Sequence, residues 1–346
     1  MMGTAHHAYN QGVRTVVRRG LGGLFALLLL APGLGARARA EDLSSMNAPV
    51  IAIVLRGGGN VTIRTWERED VHLDADPTIQ INRPRANSQQ IAAAFSKFFL
   101  HAQSIQAPGG QNYALPPEQF PIPPLAPGDH DALLVRGEGD VTLTVPQDTA
   151  VVEAQVSQGS ISIEGYHGTI LAQMGAGSIH LKNDGGTVAV QLNNGPFIAQ
   201  HSAFDRVRVR TGRGNMFFSN CRATQIQASS LLGAIVYDNG TFEPGLARFE
   251  SQHGSVAIGV SNDNAQFLAH SDAGKIYAGN DITLTRSGND AQASLSRSGP
   301  IVSASSNGGS VIFYRGAIAR HPELRNLLQL KGPGPNAMPG VERPQP

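Results

Sequence analysis

A glycine followed by apolar residues at plus two and plus four recurs along this chain, and that recurrence limits the fold more than any other feature. It runs Gly139 with Val141 and Leu143, Gly159 with Ile161 and Ile163, Gly177 with Ile179 and Leu181, and Gly195 with Phe197 and Ala199. It continues as Gly214 with Met216 and Phe218, Gly233 with Ile235 and Tyr237, Gly254 with Val256 and Ile258, and Gly274 with Ile276 and Ala278. Successive glycines stand 20, 18, 18, 19, 19, 21 and 20 residues apart. Gly299 with Ile301 reads as a looser ninth copy after a longer insertion. A fixed period of this length marks a repeat architecture.

The residues ahead of each glycine alternate: Val152, Ala154 and Val156 before Gly159, Ile170, Ala172 and Met174 before Gly177, Val188, Val190 and Leu192 before Gly195. Period-two alternation means strands with one buried face. A second corner follows six residues after the glycine, at Gly165, Asn183, Asn220, Asn239 and Asn280. Glycine and asparagine tolerate the left-handed backbone of a sharp corner. Each repeat is therefore strand, glycine corner, strand, second corner. One such unit cannot bury its apolar face alone, so stacked units must share a core. The expected fold is all-β, a single-stranded parallel β-helix (solenoid, right-handed by analogy) of 18–21 residues per turn, with one or two short helices. Ile161, Ile179, Phe197, Met216, Ile235, Val256 and Ile276 should form one inward column. Gln155, Gln173 and Gln191 should form an outward ladder of stacked amides.

The N-terminus reads as a targeting segment over residues 1–40. Arg14, Arg18 and Arg19 precede an apolar run from Leu21 to Ala31, too short to cross a bilayer, and Ala38-Arg39-Ala40 offers a cleavage site before Glu41. The expected localisation is export: periplasm, cell envelope or secretion. Without that segment, which holds five arginines and no acid, the chain has a formal charge of −4, which argues against nucleic acid as a partner. No later stretch is long enough for a transmembrane helix. Cys221 is the sole cysteine, so stability cannot come from an internal disulfide. It is either a small packed residue or a site of intermolecular pairing.

Residues 41–82 form an N-terminal β segment with its own Gly59, Val61 and Ile63. Residues 83–130 are an insert: Ile91, Ala94, Phe95, Phe98, Phe99 and Ala102 are spaced for one face of a helix, and Pro116 to Pro127 form a proline-rich linker. That helix either caps one end of the stack or covers the outward stripe from Ile198 to Tyr277. Residues 131–315 hold the regular turns. Residues 316–346 hold a short helix from Pro322 to Leu330 and a proline- and glycine-rich end expected to be unstructured.

The segments Gly-Gly-Asn-Val-Thr-Ile-Arg-Thr-Trp at 58–66, Gln-Gly-Ser-Ile-Ser-Ile-Glu-Gly at 158–165 and Ala-Gly-Ser-Ile-His-Leu at 176–181 resemble the bacterial β-strand-repeat family labelled "putative adhesins". The resemblance covers roughly 50–80 and 131–315. It implies a fold and an adhesin-like role, and it supplies no catalytic residues to transfer. The insert at 83–130 departs from that pattern.

Parallel β-helices also carry glycan-cleaving enzymes, which need clustered carboxylates as an acid pair or a calcium site. Outward positions four before the glycine read Gln155, Gln173, Gln191, Arg210, Ser229, Glu250 and His270, and no turn places a carboxylate pair on one strand. The histidines are not at metal-ligand spacing. No cofactor is implied. Arg206, Arg208 and Arg210, with Arg213 close by, form either a patch for an anionic ligand or a solvated face. Three residues after each glycine stand Thr142, Ser162 and His180, then Ile198, Phe217, Val236, Ala257, Tyr277 and Val302. Within that stripe Ile198, Phe217, Val236 and Tyr277 are the candidate interaction residues: an apolar ladder faces either a partner or an internal cover. The expected function is a non-catalytic exported structural or binding module of the envelope, facing an unknown envelope protein or glycan. The alternative is a carbohydrate-active or glycan-binding parallel β-helix.

Overall fold

The computed structural model describes residues 42–43, 50–95, 99–106, 112–120, 125, 127–262, 264–296 and 298–325. Residues 1–40, expected from their sequence to be a targeting segment, and residues 326–346 lie outside them. The described chain is nearly all β. Its helices are Ser88–Phe95, the 3-10 turn Ile318–Arg320 and Pro322–Arg325. A closed core of parallel strands runs its length, with further strands packed outside.

Two parallel ladders enclose that core. Along the main run each strand pairs with the strand one repeat later: Gln155 with Gln173, Gln173 with Gln191, Gln191 with Arg210, Arg210 with Ser229. The second ladder runs Ile161, Ile179, Phe197, Met216, Ile235 and Val256 in direct register. These side chains and Ile276 are all buried, as alternation required. Full burial of each contributes about 1.5–3 kcal/mol. Aromatic rings thicken the core in its middle, with Phe197 against Phe218 at 5.3 Å and Phe218 against Tyr237 at 5.9 Å between centroids.

The order of strands departs from chain order at both ends. Strands Val50–Leu55 and Gly59–Trp66 sit between the 129–146 turn and strand Val151–Glu164. At the other end, strands Ile301–Ser306 and Val311–Arg315 sit between the 247–260 turn and the 266–278 turn. The glycine column consequently reads Gly139, Gly59, Gly159, Gly177, Gly195, Gly214, Gly233, Gly254, Gly309, Gly274. A Cβ on any of the later members would overlap the carbonyl group of the glycine before it. The expected ninth copy is thereby corrected. Gly299 packs against Asn264 and Ala265, and Gly309 with Val311 and Phe313 takes its place. Ile301 points outward at 52% exposure, while Val302 is the inward residue and Ile312 continues the stripe.

The second corner behaves as its residue types require. Gly165, Asn183, Asn220 and Asn239 have φ of 77°, 55°, 52° and 52°. His201 takes the same conformation at 51°, a position that its residue type does not advertise, and Asn280 does not. Asn239 donates to Asn220 Oδ1 at 2.6 Å along this column.

Antiparallel strands close the ends of the stack. Val71–Ala75 pairs with Val141–Pro146, and Gln80–Asn82 with Asp129–Gly137. Asp290–Ser294 pairs with Gln266–Ser271, and Thr285–Ser287 continues outward from it. Strand Arg85–Asn87 of the insert joins that closure by pairing with residues 129–131. The insert's helix neither caps an end nor lies on the stripe from Ile198 to Tyr277, since Ile91 packs with Val50, Ala132 and Val151 instead. That helix is also shorter than the apolar spacing suggested, because Phe99–Leu100 leaves it to pair with Glu118–Gln119. Asn87 and Gln90 cap its start reciprocally, Gln90 N donating to Asn87 Oδ1 (2.9 Å) and Asn87 N to Gln90 Oε1 (3.1 Å). The side chains of Phe95, Phe98 and Phe99, expected to be buried, lie outside the described residues.

Candidate functional site

The insert lies across the outward face of the first ladder. Ile91, Leu100 and Phe120 form an apolar cluster with Val50, Ala132, Val151, Leu171 and Ala189 of that face. Further along, strand Gln103–Gln106 packs on Ala203–Arg213, and Asn112–Leu115 on Arg222–Leu232. Gln103 Nε2 donates to Asn193 Oδ1 at 2.9 Å.

This seat is polar for a covered surface. Glu153 is 1% exposed, and burial lifts its carboxyl from 4.5 to about 7, opposed by the hydrogen bond that Gln155 Nε2 donates to its Oε1 at 2.5 Å. Gln155 thus turns along its own strand, which departs from the expected amide ladder. Gln191 is buried, and its Oε1 has no hydrogen-bond partner within the described protein.

The arginine run divides. Arg210 Nη2 meets Glu118 Oε2 at 2.6 Å, its Nη1 donates to Pro116 O, and Arg208 Nη1 pairs with Glu118 Oε1. Arg208 also stands over the Phe120 ring, 5.9 Å from its centroid. Burial pulls both guanidinium pKa values down, and the Glu118 charge opposes it. Arg206 donates to Gln225 Oε1 at 3.0 Å, and Arg213 is exposed. The sequence displays the arginines but not their partner, because Glu118 sits in a proline-rich segment some ninety residues away.

The outward stripe of the second ladder also divides. Val236, Ala257, Ile312 and Tyr314 are buried with Leu324, and Phe217, Tyr277 and Ile318 pack around them half-buried. Ile198 is half-buried at the far end. The segment after Arg315 is therefore the cover over the middle of the stripe. Asp238 Oδ1 fixes it, accepting from Ile318 N at 2.7 Å and from the buried Tyr314 hydroxyl at 2.9 Å. Asp238→Ala should cost about 2–3 kcal/mol, because it strands a buried phenol. Urea unfolding checks this, and Asp238→Asn, which keeps an acceptor, should lose less than half as much.

Two further groups bear on chemistry. His270 bridges Asp290 Oδ1 (Nδ1, 2.7 Å) and Asp272 Oδ1 (Nε2, 2.9 Å), and these hydrogen bonds raise its pKa. Asp290 lines a cavity of about 310 Å³ with Lys275, Tyr277 and Arg286. Cys221 is buried, and burial pushes its thiol up to about 11. Among the described residues no three His, Cys, Asp or Glu side chains are grouped to hold a metal, and no helix is long and apolar enough to cross a membrane.

No family model and no curated protein matches the chain. Among solved structures it is similar to the crystal structure of a "putative cell adhesion protein" from Clostridium sporogenes, over 80% of this chain and 97% of that one, at 7% identity and a TM-score of 0.24. The likeness is distant.

Proposed function

We propose that this chain is a non-catalytic, exported module of the cell envelope or secreted space, adhesin-like in role, whose stacked turns form a single-stranded parallel β-solenoid. The observation that carries this reading is the one-repeat register of both ladders, which makes a rigid rod with extended outward faces. Export rests on the basic and apolar pattern of residues 1–40.

Fractionation of the producing cell with mass analysis of the protein tests the reading. The expected result is a chain beginning at Glu41 in the envelope or medium, which captures an envelope component when immobilised. A full-length cytoplasmic chain that captures nothing from envelope fractions contradicts it. The second reading, a carbohydrate-active protein, is favoured by one observation, the proximity of Asp272 and Asp290 about His270. The imidazole stands between the two carboxylates, where a scissile bond would have to sit. Loss of turnover on a polysaccharide in Asp290→Asn would establish it.

A further inference from the structure

We propose that Arg208 and Arg210 are a carboxylate-binding pair whose resident occupant is the chain's own Glu118, and that the pair takes an acidic, extended peptide segment of a partner when the insert is displaced. This rests on the binding-module reading and assigns its ligand class and site.

The geometry is that of a receptor already holding a ligand. Two guanidiniums on one outward face grip the two oxygens of one carboxylate. Each guanidinium gives one nitrogen to that carboxylate, and Arg210 turns its other Nη to the Pro116 carbonyl, so two charges converge on one carboxylate. The contacts come from alternate residues of one extended stretch: the Pro116 carbonyl, the Glu118 carboxylate and the Phe120 ring. Glu118 and Phe120, two apart, turn their side chains to one face as an extended strand does, and the Pro116 carbonyl adds a main-chain acceptor, so the resident chemistry is that of a peptide. The match is incomplete. Arg208 Nε and Gln191 Oε1 are buried at this seat and make no hydrogen bond within the described protein. A buried polar group left without a partner is costly, so a competing strand whose polar side chains reach these two has hydrogen bonds to gain there. Arg208 and Arg210 are in ladder register with Ala189 and Gln191 on one side and Gln227 and Ser229 on the other. The seat is therefore flanked by further polar side chains, on Gly185–Asn194 and Arg222–Leu232.

An occupant tethered in the same chain acts at an effective concentration on the order of millimolar. A free peptide should therefore bind the unaltered chain weakly, and Glu118→Gln should unmask the pair. The probe is a fluorescent peptide of sequence 113–121, read by anisotropy against the purified chain. Glu118→Gln should bind it at least ten-fold more tightly than the unaltered chain does. The same peptide with glutamine at the position of Glu118 should bind at least ten-fold more weakly, and adding Arg208→Gln and Arg210→Gln should abolish binding. A Glu118→Gln chain that melts cooperatively yet binds no better than the unaltered one overturns the proposal and leaves the contact a structural staple. Preference for oligogalacturonate over the peptide overturns the ligand class. If Glu118→Gln does not fold, hydrogen exchange on the unaltered chain decides. Millimolar peptide should deprotect residues 99–106 and 112–120, and unchanged protection overturns the proposal. Envelope capture that survives the double arginine substitution leaves the module reading standing and removes this site from it.

Discussion

Gly177→Ala should destabilise the protein by at least about 3 kcal/mol, because backbone strain and steric overlap act together there. Gly177 has φ of 137°, a conformation that side chains rarely adopt, and a Cβ would overlap the carbonyl of Gly159. That carbonyl cannot swing aside without disturbing the parallel pairing of Gly159 with Gly177 and of Ser160 with Ser178. Later turns add a second constraint at the same corner. Ser251, Ser306 and Ser271 donate from the core side to the carbonyls of Gly233, Gly254 and Gly309 at 2.9, 2.7 and 2.9 Å. Gly288→Ala is the control: its φ is 61°, but nothing lies within 4 Å of the added carbon, so only the left-handed backbone costs, about 1–2 kcal/mol. Urea midpoints of the two variants measure the difference. Equal losses would mean that the glycine column reflects corner conformation alone and not close stacking.

Stability should fall as pH rises from about 4.5 to above 7, and Glu153→Gln should remove a large part of that fall. The unfolded chain releases the Glu153 proton near 4.5, whereas the folded chain holds it to about 7 because burial disfavours the carboxylate. A folded-state pKa raised above the unfolded one means stability is fully present below 4.5 and lost as pH passes through about 7. A shift of that size corresponds to about 3 kcal/mol. Ala52 and Leu171 flank Glu153 in the ladder, so no adjacent rung offers a cation. Asp184 contributes in the same window, since burial also raises it to about 7, against hydrogen bonds from the Tyr166 and Lys182 amides. Glu153→Gln should therefore flatten the profile without abolishing its slope, gaining at pH 8 while changing little at pH 4.5. Unfolding curves at those two pH values check it. An unchanged slope would place the carboxyl in water and the insert elsewhere.

The repeat was legible wherever local chemistry fixes it. Alternation identified the inward column from Ile161 to Ile276, and four of the five corner residues named by type adopt the left-handed backbone. What escaped the sequence is long-range. The signature Gly309-x-Val311-x-Phe313 has the same form as the other turns, yet nothing local shows that it lies between Gly254 and Gly274. Gly59 likewise shows its repeat character but not its place between Gly139 and Gly159. The arginine run was visible as a charged face; that two of its members are held by Glu118 depends on a contact across the insert. The apolar stripe is equally consistent in sequence with a cover and with a partner; in the fold Leu324 shares one buried cluster with Val236, a neighbourhood that no local pattern displays.

The order of turns at the N-terminal end is the central claim, and one oxidation experiment tests it. In a Cys221→Ala background, Thr62→Cys with Ser162→Cys places thiols on adjacent rungs, about 4.8 Å apart along the ladder, within disulfide range. Thr142→Cys with Ser162→Cys places them two rungs apart, about 10 Å, because the 59–66 strand stands between. Under mild oxidation the first pair should close nearly completely and the second should stay reduced. Closure of the Thr142 and Ser162 pair, with the other left open, would mean the turns stack in chain order, and would contradict the structure described above.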